Sequence, residues 1–259
     1  MIGIFDSGLG GLTAVKELRA LCPNIDIVYF GDTGRVPYGT RSRDTIKKYA
    51  SQDVAFLLSQ GVDTILAACG TVSSVALGDI KEVCGIPTLG VVDAAANRAV
   101  QLSKNKIVGV IGTAATVSSK CFEKRIKEAA PDTSVLAVAC PLFVPLVENG
   151  FIDPENEVTR LVAEQYLAPI KESGADTLIL GCTHFPIIEP IISSCLPNVT
   201  VVNASKEAAL ELSRLVKDEG NAKTYYFVSD DPQNFDAIAN VFLGGKEHIS
   251  ARKIDIEKY

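Results

Sequence analysis

Short apolar runs alternate along the chain with longer segments whose apolar positions recur at helical spacing. The runs Ile2–Phe5, Ile27–Phe30, Thr64–Ala68, Thr88–Val92, Ile107–Ile111, Ser134–Ala139, Thr177–Leu180, Val199–Val202 and Tyr225–Val228 are rich in Ile, Val and Leu and predict strands. Leu12–Leu21, Ser42–Gln60, Ser118–Ala129, Glu155–Ser173 and Ser205–Val216 predict helices, with Gly, Pro or Asn near their ends. Near-continuous apolar strands separated by helices predict an α/β fold built on parallel sheet, covered on both faces.

The pattern also repeats. Gly61-Val-Asp-Thr-Ile-Leu-Ala-Ala-Cys69 matches Gly174-Ala-Asp-Thr-Leu-Ile-Leu-Gly-Cys182 at an offset of 113. Upstream, Ile2–Ser7 resembles Val108–Thr113 at an offset of 106, and downstream Val91–Ala94 resembles Val201–Ala204 at 110. Three matches in one order predict two related α/β units. Ligands of such sheets bind beyond the carboxyl ends of the strands. Cys69 and Cys182 each follow an apolar strand at that edge, so units facing each other about a pseudo-twofold axis would bring two thiols to one cleft.

Two soft bases on opposite faces of a carbon can remove a proton from one side and return one on the other, inverting a stereocentre without a cofactor. A free thiol titrates near pH 8.5, so a thiolate at neutral pH needs local help. Asp6 lies at a strand end, and His184 follows Cys182 by two residues. A carboxylate can accept a thiol proton, and an imidazole can shuttle one. Cys22, Cys84, Cys121, Cys140 and Cys195 read as small core residues. A hydrolase using a single cysteine with His184 as base would leave the second matched thiol unexplained.

Composition narrows the partners. The 259 residues are 47% hydrophobic and 22% charged, enough apolar material for a core. Net charge is −6 and no basic run stands out, which disfavours nucleic acid and membrane surfaces. No apolar run approaches the ~18 residues of a membrane span. Met1–Asp6 predicts no signal peptide. Seven cysteines without a C-x-x-C pair, and histidine only at 184 and 248, argue against a zinc site or a disulfide framework. Reduced thiols in the cytoplasm fit better. The glycine-rich turn Asp6–Thr13 lacks G-x-G-x-x-G and a Walker lysine, so it is not a dinucleotide loop. No lysine stands in a context suggesting pyridoxal phosphate, and no cofactor or metal is expected.

Several motifs in order resemble the glutamate racemases of the cofactor-independent aspartate/glutamate racemase superfamily. They are Phe5-Asp6-Ser7-Gly8-Leu9-Gly10-Gly11, Arg35-Val36-Pro37-Tyr38-Gly39, Gly112-Thr113 with Thr116, Cys140-Pro141 through Val147-Glu148, and Gly181-Cys182-Thr183-His184-Phe185-Pro186. The resemblance implies interconversion of L- and D-glutamate for peptidoglycan, with a small-molecule substrate and room for a homodimer. It implies that Cys69 takes the α-proton from the D-isomer and Cys182 from the L-isomer. Asp6 would assist Cys69, and His184 and Glu148 would assist Cys182. Asp6, Ser7, Pro37, Tyr38, Gly39, Gly70, Thr71, Thr113, Thr116, Thr183 and His184 would surround the substrate. The family fold implies two α/β domains across an active-site cleft, residues 1–94 with 205–259 and residues 95–204. A related racemase of aspartate or another acidic amino acid, and a binding paralogue without turnover, are the alternatives.

One departure from the family stands beside the first cysteine. Relatives carry Cys-Asn-Thr, whereas this chain has Cys69-Gly70-Thr71. Loss of a hydrogen bond to a charged substrate costs on the order of 1.5–3 kcal/mol. On this reading, restoring the side chain with Gly70→Asn is expected to improve turnover.

Overall fold

A computed structural model describes residues 1–232, 235–245 and 249–259, with the Asp236 side chain left aside. His248 lies outside the described residues. Ten strands are β1 (Ile2–Asp6), β2 (Ile27–Gly31), β3 (Thr64–Ala67), β4 (Thr88–Gly90), β5 (Ile107–Gly112), β6 (Ser134–Ala139), β7 (Thr177–Leu180), β8 (Thr200–Asn203), β9 (Thr224–Val228) and β10 (Ala251–Lys253). They form two sheets, ordered β10-β9-β2-β1-β3-β4 and β6-β5-β7-β8, and every pairing is parallel. The last two strands therefore return to the first sheet.

The repeat seen in the sequence is a repeat of pairing. Ile2 pairs with Thr64 as Val108 pairs with Thr177, and the match continues through Phe5–Ala67 and Ile111–Leu180. The offsets of 106 and 113 thus describe the same strand register in both halves. The third sequence match is displaced by three residues. Gly90 pairs with Ala67 as Asn203 pairs with Leu180, so β4 and β8 correspond at the offset of 113. Val91–Val92–Asp93 is the first turn of helix Val91–Leu102, which shortens the expected strand to Thr88–Gly90. Its counterpart helix is Ala204–Leu215, capped by the Asn203 side chain, which accepts from the Lys206 N–H.

Position in the sheet explains the strand compositions. β1, β2 and β3 are buried at every residue and are correspondingly apolar. β6 is an edge strand and only partly buried. Gly3 of β1 and its counterpart Gly109 of β5 leave room for the covering helix. A Cβ would meet Leu57 and Val62 at the first and Ile170 at the second at 3.0–3.3 Å. Helices Arg43–Ser59 and Glu157–Glu172 occupy equivalent places and start at the side-chain caps Ser42 and Asn156. Shortly after each comes a glycine with positive φ, Gly61 at 75° and Gly174 at 71°.

The expected helix Ser118–Ala129 is two, Ala114–Ser119 and Cys121–Ala129, divided at Lys120 with φ 54°. Short helices Gly70–Val75 and Phe143–Glu148, which the periodicity did not reveal, face the space between the sheets. Among the described residues no helix is long and apolar enough to cross a membrane.

Gly174→Ala places a Cβ in the left-handed region and is expected to lower unfolding stability by about 1–2 kcal/mol. Gly78, in open space on helix Leu77–Cys84, is expected to lose nothing as alanine. Urea denaturation of both variants against the parent checks the pair.

Candidate active site

A cavity of about 330 Å³ lies between the carboxyl ends of the two sheets, within the range of small-molecule sites. Cys69 lies two residues beyond β3 and Cys182 two residues beyond β7, and both line it. Both are nearly buried. The register shared by β1–β3 and β5–β7 is what carries the sulfurs to equivalent places.

The two thiols have different surroundings. Cys69 Sγ donates to Ser7 Oγ at 3.5 Å. Burial, with the Asp6 carboxylate nearby, pushes this thiol up to about 12. Cys182 Sγ lies 3.9 Å from His184 Nδ1, and His184 Nε2 lies 3.0 Å from Glu148 Oε1. Burial disfavours the imidazolium, yet hydrogen bonds to Cys182 and Glu148 outweigh it and hold His184 up to about 10. The site at neutral pH therefore pairs a protonated Cys69 with a cationic His184 beside Cys182.

Asp6 ends β1 completely buried, behind the cavity wall rather than on it. It accepts from the Gly8 N–H at 3.1 Å and from Thr183 Oγ1 at 3.4 Å. Burial raises its pKa against the opposing pull of His184. Its carboxyl thus touches the second half through Thr183 while influencing Cys69 through space.

Ser7, Pro37, Tyr38, Gly39, Gly70, Thr71, Thr113, Thr183, His184 and Glu148 all reach the cavity. Thr116 does not. It stands behind the wall and binds Thr113 Oγ1 at 3.0 Å, which in turn bonds Thr71 Oγ1 at 2.9 Å. This hydroxyl chain joins the two halves across the cleft. Pro37–Thr40 contributes wall, but the Tyr38 hydroxyl turns away into a buried cluster, donating to Asp32 and Asp53. Arg35 closes that cluster, with Nε on Asp32 at 2.6 Å and Nη2 on Asp53 at 3.0 Å. Its charge partly offsets the burial that raises Asp53 well above its usual range.

Three features escaped the sequence reading. Cys140, taken as core filler, lines the cavity one residue beyond β6, and burial, with Cys182 nearby, pushes it up to about 12. Its strand-end position was the available signal. Cys121 and Cys195 are only partly buried. The Asp32–Arg35–Asp53 cluster joins two residues of one loop to Asp53 of helix Arg43–Ser59, a pairing the sequence alone does not display. Among the described residues, no three His, Cys, Asp or Glu side chains gather as metal ligands.

The sequence pattern of the Asp/Glu/Hydantoin racemases matches residues 13–212. The chain belongs to this family. Among racemase relatives, the glutamate racemase of Aquifex pyrophilus is 45% identical over 243 residues, 94% of each chain. That of Geobacter metallireducens is 43% identical over 255 residues, covering 95% of this chain and 93% of the relative. The crystal structure of the Francisella tularensis glutamate racemase in complex with D-glutamate superposes with a TM-score of 0.92 at 37% identity, over 100% of this chain and 98% of that one. A Picrophilus torridus aspartate racemase, 22% identical with a TM-score of 0.59, shares the fold.

Removing Arg35 leaves two carboxylates buried without their cation. Arg35→Met is expected to cost on the order of 3–5 kcal/mol of folding stability. The loss is measured by urea denaturation at pH 7.

Proposed function

We propose that this racemase interconverts L- and D-glutamate by a cofactor-independent two-base mechanism, with Cys69 and Cys182 as the bases. The observation that carries the reading is the placement of both thiols on one cavity by a shared strand register. Glutamate as substrate rests on the glutamate racemases, which match nearly the whole chain, and D-glutamate for peptidoglycan would be the product's use.

In the L-to-D direction, the Cys182 thiolate removes the α-proton and the Cys69 thiol delivers one to the opposite face. Roles exchange in the reverse direction. His184, as imidazolium, faces the thiolate at Cys182, and Glu148 holds the far ring nitrogen. Asp6 is the buried group best placed to take up charge change at Cys69. Hydroxyls of Ser7, Thr71, Thr113 and Thr183 offer donors to the substrate's carboxylates, with His184 the only cationic side chain on the wall among the described residues. Residues 1–94 with 205–259, and 95–204, form the two units in this reading.

The decisive experiment uses protein freed of metal and pyridoxal phosphate, with L-glutamate in heavy water, following inversion by polarimetry and α-deuterium by mass spectrometry. Inversion with deuterium incorporation is expected from the parent, and Cys69→Ser and Cys182→Ser are each expected to abolish inversion. Full-rate racemisation by either variant would sink the assignment. L-aspartate under the same conditions separates the aspartate alternative.

The His184 charge also has a pH consequence. Its pKa is raised in the folded state, so the stability it adds is complete below about 6.5, its unfolded value, and lost as pH rises through about 10. Denaturation midpoints from pH 6 to 10.5 are expected to fall more steeply for the parent than for His184→Asn. The L-to-D rate is expected to decline on the same alkaline limb.

A further inference from the structure

Beside the side-chain hydroxyls that bridge it, close backbone approach also holds the cleft. Three glycines of the first half press on the second. A Cβ on Gly10 would collide with Thr183 and His184, and one on Gly39 would come within 2.7 Å of Thr113 Cβ. Gly70 is the tightest case. A Cβ there would fall inside the Gly181 carbonyl oxygen and 3.1 Å from its carbon, with Cys182 Cα next at 3.7 Å. A side-chain neighbour could rotate away, but Gly181 cannot. Its N–H is tied to the Ile111 carbonyl at 2.8 Å, which fastens it to the end of β5.

Gly70 directly follows Cys69, and the backbone it rests on directly precedes Cys182. The repeat makes the contact asymmetric. The residue corresponding to Gly70 in the second half is Thr183, which keeps its side chain and sends its hydroxyl to Asp6. At this register position one cysteine turn crosses the cleft with a hydroxyl, and the other presents bare backbone, its hydroxyl contact coming one residue later from Thr71 to Thr113.

We propose that Gly70 is a positioning residue of this racemase, whose bare Cα lets the Cys69 turn seat on the Gly181 carbonyl and thereby sets the gap between the two thiols. The proposal rests on the two-thiol reading above. It reverses the expectation drawn from the sequence for Gly70→Asn. The larger residue does not restore a missing contact; it wedges the cleft open. Misplacing reacting groups by about 1 Å costs on the order of a hundredfold in rate, so even a partial opening is visible in turnover.

The test compares Gly70→Ala and Gly70→Asn with the parent and with Gly78→Ala, where a Cβ meets nothing within 4 Å. Racemisation is followed in both directions, and iodoacetamide labelling of Cys69 and Cys182 is timed by peptide mass spectrometry without substrate. Both Gly70 variants are expected to lose about tenfold or more in kcat, with a smaller change in KM, and to alkylate both thiols several-fold faster. Gly78→Ala is expected to match the parent in both. Gly70→Ala with kcat within twofold of the parent, or with parental alkylation rates, overturns the proposal. A parent inactive on glutamate and other acidic amino acids defeats the two-thiol reading instead, and the alkylation comparison alone then decides whether Gly70 closes the cleft. If Gly70→Ala does not fold, the parent decides. A closed seam requires Cys69 and Cys182 to alkylate far more slowly than the partly buried Cys121, and equal rates overturn it.

Discussion

Everything at the site depends on how β1 pairs with β3 and β5 with β7. A parallel ladder fixes which residue leaves the sheet at a given height, and a slip of one residue turns every side chain to the opposite face. Ile2 opposite Thr64 and Val108 opposite Thr177 bring Cys69 and Cys182 out of their sheets two residues past the last paired strand position. The small residues in these strands serve the same end. Gly3 and Gly109 admit helices Arg43–Ser59 and Glu157–Glu172 closely against their sheets. The reactive edge is thereby held by the most deeply buried part of the molecule rather than by its loops.

On that symmetric frame the electrostatics are unequal. The first half surrounds its thiol with a buried carboxyl, and the second surrounds its thiol with a buried imidazole backed by Glu148. A buried carboxyl near Cys69 and an imidazolium near Cys182 make the two thiol ends of the cavity electrostatically different. Thr183 joins the two environments, since its hydroxyl reaches Asp6 at 3.4 Å and lies equally near His184 Nδ1. Proton movement on one side is therefore felt on the other.

Much of this was legible in the chain because repeats and strand ends are local signals. The matching of Gly61–Cys69 with Gly174–Cys182 carries the strand, its register and the thiol together. The match at Val91 and Val201 was displaced because apolar pairs recur at both strand ends and helix starts. Only the ladder shows that Val91 begins a helix while Val201 is still in β8. Thr116 and the Tyr38 hydroxyl were expected at the substrate because their motifs sit beside it. Both instead hold neighbours in place, Thr116 through Thr113 and Tyr38 through Asp32 and Asp53. A motif records that a residue is tied to a site and does not say from which side.

The two kinds of support differ in what they tolerate. The Arg35 cluster holds the Pro37–Thr40 wall with charge, and buried charge is stable only while every partner is present. It makes the wall stiff, and Glu257 near the chain's end joins it at 3.4 Å, tying the last segment to the loop. The glycine contacts across the cleft are steric, with Gly10 packed against Thr183 and His184, Gly39 against Thr113, and Gly70 against the Gly181 carbonyl. They need only the space that a side chain would take. The Arg35 cluster lies within the first half, so charge holds the wall there, and close backbone contact sets how near that half approaches the second.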